Sequence, residues 1–277
     1  MNNLRQLIDK LHNGNRQLWE KHWFEWLAGE ANKLPVVIFT PNPEQVVQTQ
    51  QNPAFFTLLL WADVLLADGV GLVIASRLLN QKSIKRLTGR EVLEWWLQKA
   101  SKLANNPKLA SKQAITTLLL GAKPGSAEAL ARQYDPDIGW CLASAGYQNV
   151  AQPTEEEEKN LKSLLQTVKP QIIFVAFGAP WQETWVSRWH DFLAEMGVKI
   201  VMVCGGGVDV LSPATSLRPP PPLLTKLHLE WLYRLWQEPW RWRRQLRLLK
   251  FIWLVIITKF STNKMTNKPK QKISSNK

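Results

Sequence analysis

Asp68 lies in the stretch LLADGVGLVIASRLL (residues 65–79), between one apolar run and the glycine-containing start of another. A carboxylate held partly away from water at a strand end, beside glycines that permit close approach, can act as a general base. An aspartate directly before a helix can equally serve as its N-cap, by accepting backbone N–H bonds. Both interpretations are open from the residues alone. The GVG fragment lacks the third glycine of a dinucleotide-binding fingerprint, so it does not by itself indicate a nucleotide.

Polar side chains follow other apolar runs as well. Thr40 and Asn42 come directly after VVIF, where they can contact a ligand or cap the next helix. Gln182 and Glu183 follow the glycine turn of FGAPWQETW, at a predicted helix start whose free N–H groups suit a phosphate. A plain strand-to-helix turn is the alternative there. Arg86, in IKRLTGREVL, can pair with a phosphate or lie solvated on the surface.

Strand-like and helix-like segments alternate along the chain and must position these side chains. Continuous apolar runs, rather than alternating ones, predict strands that are covered on both faces. The alternation predicts an α/β fold with a largely parallel sheet flanked by helices, whose ligands sit at the carboxyl ends of the strands. The predicted strands lie in 36–39, 115–121, 138–144, 172–178 and 199–207, and the predicted helices in 43–52, 69–80, 89–104, 125–133, 154–168 and 181–197.

The positive charge of the chain is concentrated at its carboxyl end. Residues 1–217 hold 21 Lys and Arg against 20 Asp and Glu, whereas residues 218–277 hold 14 against 2. The proline run RPPPP (218–222) favours a stiff, extended connector. We therefore expect an α/β core over 1–217 and a basic helical appendage with a disordered tail over 218–277. A basic segment beside a near-neutral body is typical of contact with phosphates, on nucleic acid or on an anionic membrane.

Aromatic, basic and apolar residues interleave in the predicted appendage. On a helix from about residue 240 onward, one stripe is apolar, and Arg243, Arg247 and Lys250 line the adjoining face. Such a helix can pack on a partner helix or the core, bind nucleic acid, or lie at a membrane interface. No recognised nucleic-acid-binding module appears, so we expect no nucleic-acid partner. The apolar stripe consists of Trp242, Leu246, Leu249, Trp253 and Ile256.

Other features of the composition exclude several classes of protein. Cys141 and Cys204 lie in apolar runs, as inert core thiols do, and the four histidines show no ligand spacing. These residues therefore predict no metal site, and we expect no cofactor. The first residues lack the apolar core of a signal peptide, and FIWLVII (251–257) is too short to span a bilayer. These features predict a cytoplasmic protein that touches a membrane surface.

Several stretches, in a fixed order from residue 36 to about residue 250, resemble the WecG/TagA/CpsF family of bacterial glycosyltransferases. They are TPNPE, ADGVGLV, RLTG, GAPWQE, GGGVDVL and, above all, LEWLYRLWQEPWRWRR. An ordered set of this length is far more specific than any one motif. The resemblance implies a Rossmann-like α/β core and a C-terminal appendage that completes the active site on the membrane.

The resemblance also implies an inverting glycosyltransferase that requires no metal. Its reaction moves an N-acetylmannosamine-type sugar from a UDP-sugar donor to a polyprenyl-diphosphate-linked sugar acceptor, in cell-surface polysaccharide synthesis. The enzyme is then expected to lie on the inner face of the plasma membrane, with Asp68 as its general base. The implied substrate-binding residues are Thr40, Asn42, Arg86, Gln182 and Glu183 in the core and Arg234, Arg241 and Arg244 in the appendage.

Two other classes of function stay open. A non-catalytic nucleotide-binding protein, whose basic tail docks to membrane or RNA, would bind UDP without consuming sugar. An NAD-dependent oxidoreductase is disfavoured by the missing third glycine and by the lack of a His–acid or Tyr–Lys pattern.

The sequence also departs from the family: Trp181 replaces the usual lysine, and residues 1–34 do not show the usual first strand. The number of subunits, including a homo-oligomer, is left open.

Overall fold

The chain folds around one parallel β-sheet. The computed structural model describes residues 3–29, 34–105, 115–227, 229–239 and 242–266. Within these residues six strands lie in the order β2-β1-β6-β5-β3-β4, and each neighbouring pair is parallel. The strands are β1 (Val36–Phe39), β2 (Val64–Leu65), β3 (Thr117–Gly121), β4 (Cys141–Ser144), β5 (Ile172–Ala176) and β6 (Ile200–Val203). The predicted α/β fold with a largely parallel sheet is confirmed.

Helices cover both faces of the sheet. Because side chains alternate along a strand, Ile38 packs in one apolar layer and Phe39 in the other. The helices are α1 (Asn3–Lys10), α2 (Arg16–Ala28), α3 (Pro43–Thr49), α4 (Pro53–Trp61), α5 (Val70–Asn80), α6 (Gly89–Ala104), α7 (Ser126–Tyr134), α8 (Glu155–Val168), α9 (Trp181–Glu195), α10 (Gly207–Leu211), α11 (Pro222–Lys226), α12 (Glu230–Gln237) and α13 (Trp242–Thr266). Capping boxes, in which Thr88 pairs with Glu91 and Thr154 with Glu157, start α6 and α8.

The amino-terminal segment, which the sequence left unassigned, forms two helices of the core. Helix α1 buries Leu7 and Ile8 in one apolar layer, whereas α2 buries Trp19 and Trp23 in the layer on the opposite face. Helix α4 and the two-residue strand β2 were also not predicted. The segment before β1 therefore contributes to both layers of the core, as two helices.

The chain beyond residue 217 returns to the core. Residues 217–221 have no regular secondary structure, and they lead into α11 and α12. Helix α13 packs against α3 and α5, and its Phe251 and Val255 are buried in the apolar layer of those helices. Gly71 permits this contact, because a Cβ there would lie 2.8 Å from Pro43 Cγ and 3.3 Å from a ring carbon of Phe251. The domain boundary at 218–222 stays a prediction.

The opposite side of α13 is exposed and apolar. The residues of the predicted stripe are between 41% and 64% exposed: Trp242, Leu246, Leu249, Trp253 and Ile256. Phe260 continues this surface, and Trp231, Leu232 and Trp236 of α12 are exposed as well. In the described part of the chain, no helix combines the length and the apolar character needed to cross a bilayer.

Candidate active site

A polar cavity of about 500 Å³ opens at the carboxyl end of the sheet. Its wall includes residues that lie within three positions of the carboxyl ends of four strands: Thr40 after β1, Lys123 after β3, Gly178 after β5 and Gly206 after β6. Parallel strands all point their carboxyl ends to one edge, so side chains far apart in sequence meet there. The cavity lies where the predicted fold requires a ligand site.

A second cavity, of about 490 Å³, has a mainly apolar wall and lies between α5 and α13. Its wall includes Ile74 and Leu78 of α5, and Phe251 and Ile252 of α13. The two cavities share four lining residues: Asn42, Asp68, Glu230 and Arg234. A polar space and an apolar space therefore adjoin at these four side chains.

Asp68 is half-buried at the junction of the two cavities. Its backbone N–H donates to Pro41 O at 3.0 Å, which fixes the chain just before α5. Burial raises the pKa of its carboxyl to about 6; Arg86 and Arg234 oppose this rise, and two nearby glutamates add to it. The N-cap of α5 is Gly69, and no side chain caps that helix, so the N-cap interpretation of Asp68 is wrong. A carboxylate with this pKa at a cavity wall is suited to accept a proton near neutral pH.

The interpretation of Arg86 as a solvated surface residue is wrong. Its side chain is 14% exposed; it donates to Glu91 Oε1 at 2.9 Å and forms an ion pair with Glu230 of α12. Glu230 also lies 3.7 Å from Nη2 of Arg90, in the first turn of α6. One carboxylate of the appendage therefore contacts two guanidinium groups of the core.

Thr40 and Asn42 both have structural roles, and both face the polar cavity, so their contact with a ligand stays a prediction. Thr40 Oγ1 donates to Val203 O at 3.3 Å, which ties the ends of β1 and β6 together. Asn42 caps α3, where it forms a capping box with Gln45. Both residues also line the polar cavity.

Gln182 and Glu183 occupy different environments. Gln182 lines the polar cavity, and its Oε1 accepts from the backbone N–H of Gly178 at 3.2 Å. Glu183 has no exposed surface and is absent from the wall of that cavity. The prediction that Glu183 contacts substrate directly is therefore corrected: it sits behind Gln182, because the first turn of α9 points it into the protein.

Of the three appendage arginines that the resemblance assigned to substrate binding, Arg234 is the one whose side chain lies among the described residues. Its guanidinium lies over the glycine loop after β6, so close that a Cβ on Gly206 would be 2.5 Å from Nη2. Arg234 Nε also pairs with Glu238 at 3.4 Å, and Lys123 Nζ lies 4.0 Å from the same carboxyl. Arg241 lies outside the described residues, and the side chain of Arg244 does too.

Six charged residues that line the polar cavity were not among the predicted site residues: Arg90, Lys123, Asp209, Arg218, Glu230 and Arg247. Arg90 and Lys123 had a usable signal, because Arg90 follows the glycine of TG at a helix start and Lys123 belongs to GAKPG at a strand end. Glu230 had none beyond its place in LEWLYRLW, since its partners lie about 140 residues away in the core.

The chain is therefore an α/β protein with an all-parallel sheet and a polar cavity at the carboxyl ends of the strands. The carboxylate and the guanidinium groups of that cavity are suited to an anionic ligand. The chain belongs to the glycosyl transferase WecG/TagA/CpsF family, whose model matches residues 11–265. The resemblance seen in the motifs is thereby confirmed.

Three similar proteins carry one name, N-acetylglucosaminyldiphosphoundecaprenol N-acetyl-beta-D-mannosaminyltransferase. The protein from Bacillus subtilis strain 168 is 29% identical over 272 residues, covering 97% of this chain and 91% of its own. The protein from Bacillus spizizenii strain W23 is 28% identical and covers 79% of this chain and 78% of its own. The protein from Staphylococcus aureus strain MRSA252 is 31% identical and covers 71% of this chain and 70% of its own.

Proposed function

We propose that this protein is an inverting glycosyltransferase that moves an N-acetylmannosamine-type sugar from a UDP-sugar donor to a polyprenyl-diphosphate-linked sugar acceptor. The observation that carries the proposal is the position of Asp68, which lines a polar and an apolar cavity at once. A nucleotide-sugar is polar, whereas the stem of a lipid-borne sugar is apolar. The two substrates must meet where the sugar is transferred. The names of the relatives specify an N-acetylglucosaminyldiphosphoundecaprenol acceptor and a mannosaminyl group, which supports this pair of substrates.

The donor is assigned to the polar cavity. Arg90, Lys123 and Arg234 line it, and they offer positive charge to a diphosphate. Guanidinium groups bind phosphate oxygens in a bidentate manner, and they stabilise the negative charge that develops on departing UDP. The family resemblance adds Arg241 and Arg244 as further proposed ligands of the diphosphates.

The acceptor is assigned to the apolar cavity, with its sugar at the junction and its lipid stem between α5 and α13. The Asp68 carboxylate takes the proton of the acceptor hydroxyl as the hydroxyl oxygen bonds to the anomeric carbon of the donor sugar. The bond from that carbon to the UDP oxygen breaks on the opposite side, and its electron pair leaves with UDP. Attack and departure on opposite faces invert the anomeric centre, as in a one-step displacement.

The exposed side of α13 is proposed to rest on the membrane that holds the acceptor. Its large apolar side chains, among them Leu249 and Trp253, are exposed, and the segment 218–277 carries a strong excess of Lys and Arg. Apolar burial plus attraction to anionic lipids is how a helix binds in the plane of a membrane interface. We therefore propose a peripheral enzyme on the inner face of the plasma membrane, acting in cell-surface polysaccharide synthesis.

The test is a UDP-release assay with the full chain, a panel of UDP-sugars and a polyprenyl-diphosphate-linked N-acetylglucosamine acceptor in vesicles. We expect release of UDP with UDP-N-acetylmannosamine that depends on the acceptor, and a product with inverted anomeric configuration. Binding of UDP without acceptor-dependent release from any donor would instead identify a non-catalytic nucleotide-binding protein. A truncated chain that lacks residues 218–277 should lose both vesicle binding and activity. A fully active truncation would remove the appendage from the proposed site.

A further inference from the structure

Glu183 is a fully buried carboxyl group directly behind the wall of the polar cavity. Its Oε1 accepts two hydrogen bonds, from Nε2 of Gln45 at 3.1 Å and from Nε2 of Gln182 at 3.0 Å. Its Oε2 has no hydrogen-bond partner among the described residues. Burying a carboxyl group with one oxygen unsatisfied is costly, so its presence calls for a compensating role.

The two glutamines connect Glu183 to the cavity wall. Gln45 Oε1 accepts from the backbone N–H of Asn42 at 2.9 Å, and Gln182 Oε1 accepts from the backbone N–H of Gly178 at 3.2 Å. Asn42, Gln182 and Gly178 line the polar cavity, and Gln45 does too. One buried oxygen therefore holds the first turns of α3 and α9 on either side of the space assigned to the donor.

A glutamine side chain has one donating end and one accepting end, and the two ends exchange places when the amide rotates by 180°. Rotation of Gln45 or Gln182 would aim its NH₂ at a backbone N–H, so that two donors would face each other. Glu183 prevents this because Oε1 accepts from both NH₂ groups. Only the accepting oxygen is needed, and the negative charge is not. Burial raises the pKa of Glu183 to about 7, and Oε1 can accept in either protonation state.

We infer that Glu183 is a positioning residue, which fixes the Gln182 and Asn42 side of the polar cavity by orienting the amides of Gln45 and Gln182. This inference rests on the proposed function only in taking the cavity as the donor site. Glu183 acts through Gln45 and Gln182 and does not itself contact substrate.

The test compares Glu183→Gln, which keeps an accepting oxygen, with Glu183→Met, which has similar volume and no strong acceptor. Val186→Ala serves as the control, because Val186 is equally buried on α9 and does not line the polar cavity. The KM for the UDP-sugar and the kcat are measured on the full chain with vesicle-borne acceptor, beside the thermal midpoint of each variant. We expect Glu183→Met to raise KM about tenfold with a smaller change in kcat, the loss expected for about one hydrogen bond. Glu183→Gln should stay within about twofold of the parent, on the same hydrogen-bond scale.

A second measurement needs no ligand. The side-chain NH₂ signals of Gln45 and Gln182 are followed by NMR in the full chain labelled with ¹⁵N-glutamine, and are assigned through Gln45→Met and Gln182→Met. Both signals should move toward solvent-exposed values in Glu183→Met and stay in place in Glu183→Gln and Val186→Ala. Unchanged signals in Glu183→Met, or equal defects in Met and Gln variants, overturn the inference. Absence of UDP release from the parent protein would contradict the proposed function alone, because the NMR result is independent of it.

Discussion

Glu230 of helix α12 forms an ion pair with Arg86, which lies in the loop before α6 of the core. The side chains are only 21% and 14% exposed, so solvent screens this pair less than an ordinary surface pair. The same carboxylate lies near Arg90 and lines both cavities. The pair therefore holds α12, and with it Arg234, against the site.

Replacing Glu230 should loosen the docking of α12 on the core. Glu230→Gln leaves two guanidinium groups without this partner, and we expect it to weaken docking by about 1 kcal/mol, which is a roughly fivefold shift in the docking equilibrium. Trypsin cleavage between Lys226 and Leu227 should become faster by that factor. Glu94→Gln is the matched control, since Glu94 pairs with Arg90 at 3.6 Å from within the core's own helix. Equal cleavage rates in both variants would contradict a docking role for Glu230.

The sequence predicted those parts of the molecule that depend on local patterns. Five of the six strands are continuous apolar runs, and α6 and α8 begin at capping boxes that can be recognised in the sequence. Helix α4 was missed because PAFFTLLLW is apolar on all sides and so shows no helical period, although Asn52 and Pro53 mark its start. Strand β2 was missed because it has only two residues.

The site was predicted less completely, for a physical reason. Asp68 and Thr40 could be found because each follows an apolar run, and the carboxyl ends of parallel strands meet. The contact of Glu230 with Arg86 depends on how α12 folds back over the core, which no local pattern specifies. The inward direction of Glu183 depends on the phase of α9, and neighbouring positions on a helix face about 100° apart.

Asp68→Asn should lower turnover and raise stability. Loss of a general base typically reduces the rate by about 10²–10⁴. The unfolded chain ionises this carboxyl near its ordinary pKa of 3.8, while the folded protein keeps the proton until about pH 6. The free energy of unfolding of the parent therefore falls as the pH rises through that interval, by up to about 3 kcal/mol. At pH 7.5 the asparagine variant should be more stable by up to that amount. Full turnover in this variant would remove Asp68 from the role of base.

The pH dependence of activity should report the same group. Because the base must be unprotonated, kcat/KM should fall about tenfold per pH unit below the apparent pKa and level off above it. The raised pKa of Asp68, about 6, sets the position of this limb. Arg86→Gln removes the guanidinium that most opposes the raised pKa of Asp68. The limb should therefore move to higher pH, even if the absolute rate also changes. If the residual activity of Asp68→Asn shows the same limb at the same pH, a group other than Asp68 is responsible for the pH dependence.

Gly206→Ala should displace the guanidinium group of Arg234 from its position over the glycine loop after β6. The added Cβ would lie 2.5 Å from Arg234 Nη2, the flexible end of a side chain, and Gly206 has an ordinary φ of −77°. Stability should therefore change little, within about 0.5 kcal/mol, as for most surface substitutions. Displacing one charge-assisted contact to a diphosphate should lower kcat/KM by about 10- to 100-fold. Arg234→Lys should produce a similar loss, and full activity of Gly206→Ala would show that the observed position of Arg234 is not required.

Leu249→Glu should weaken membrane binding without unfolding the protein. Leu249 is 64% exposed on α13, so the core loses no packing, whereas burial of a leucine in lipid contributes about 1.5–3 kcal/mol. Binding to vesicles that contain anionic lipid should fall at least about tenfold, and the remaining binding should weaken further with salt. Ile138→Glu is the control, because Ile138 is 49% exposed in the loop before β4, at the end of the sheet away from the cavities. Activity on a vesicle-borne acceptor should fall with binding in Leu249→Glu, while activity on a short-chain, water-soluble acceptor stays at the parent level. Equal losses on both acceptors would mean that Leu249 serves the site itself and not the membrane.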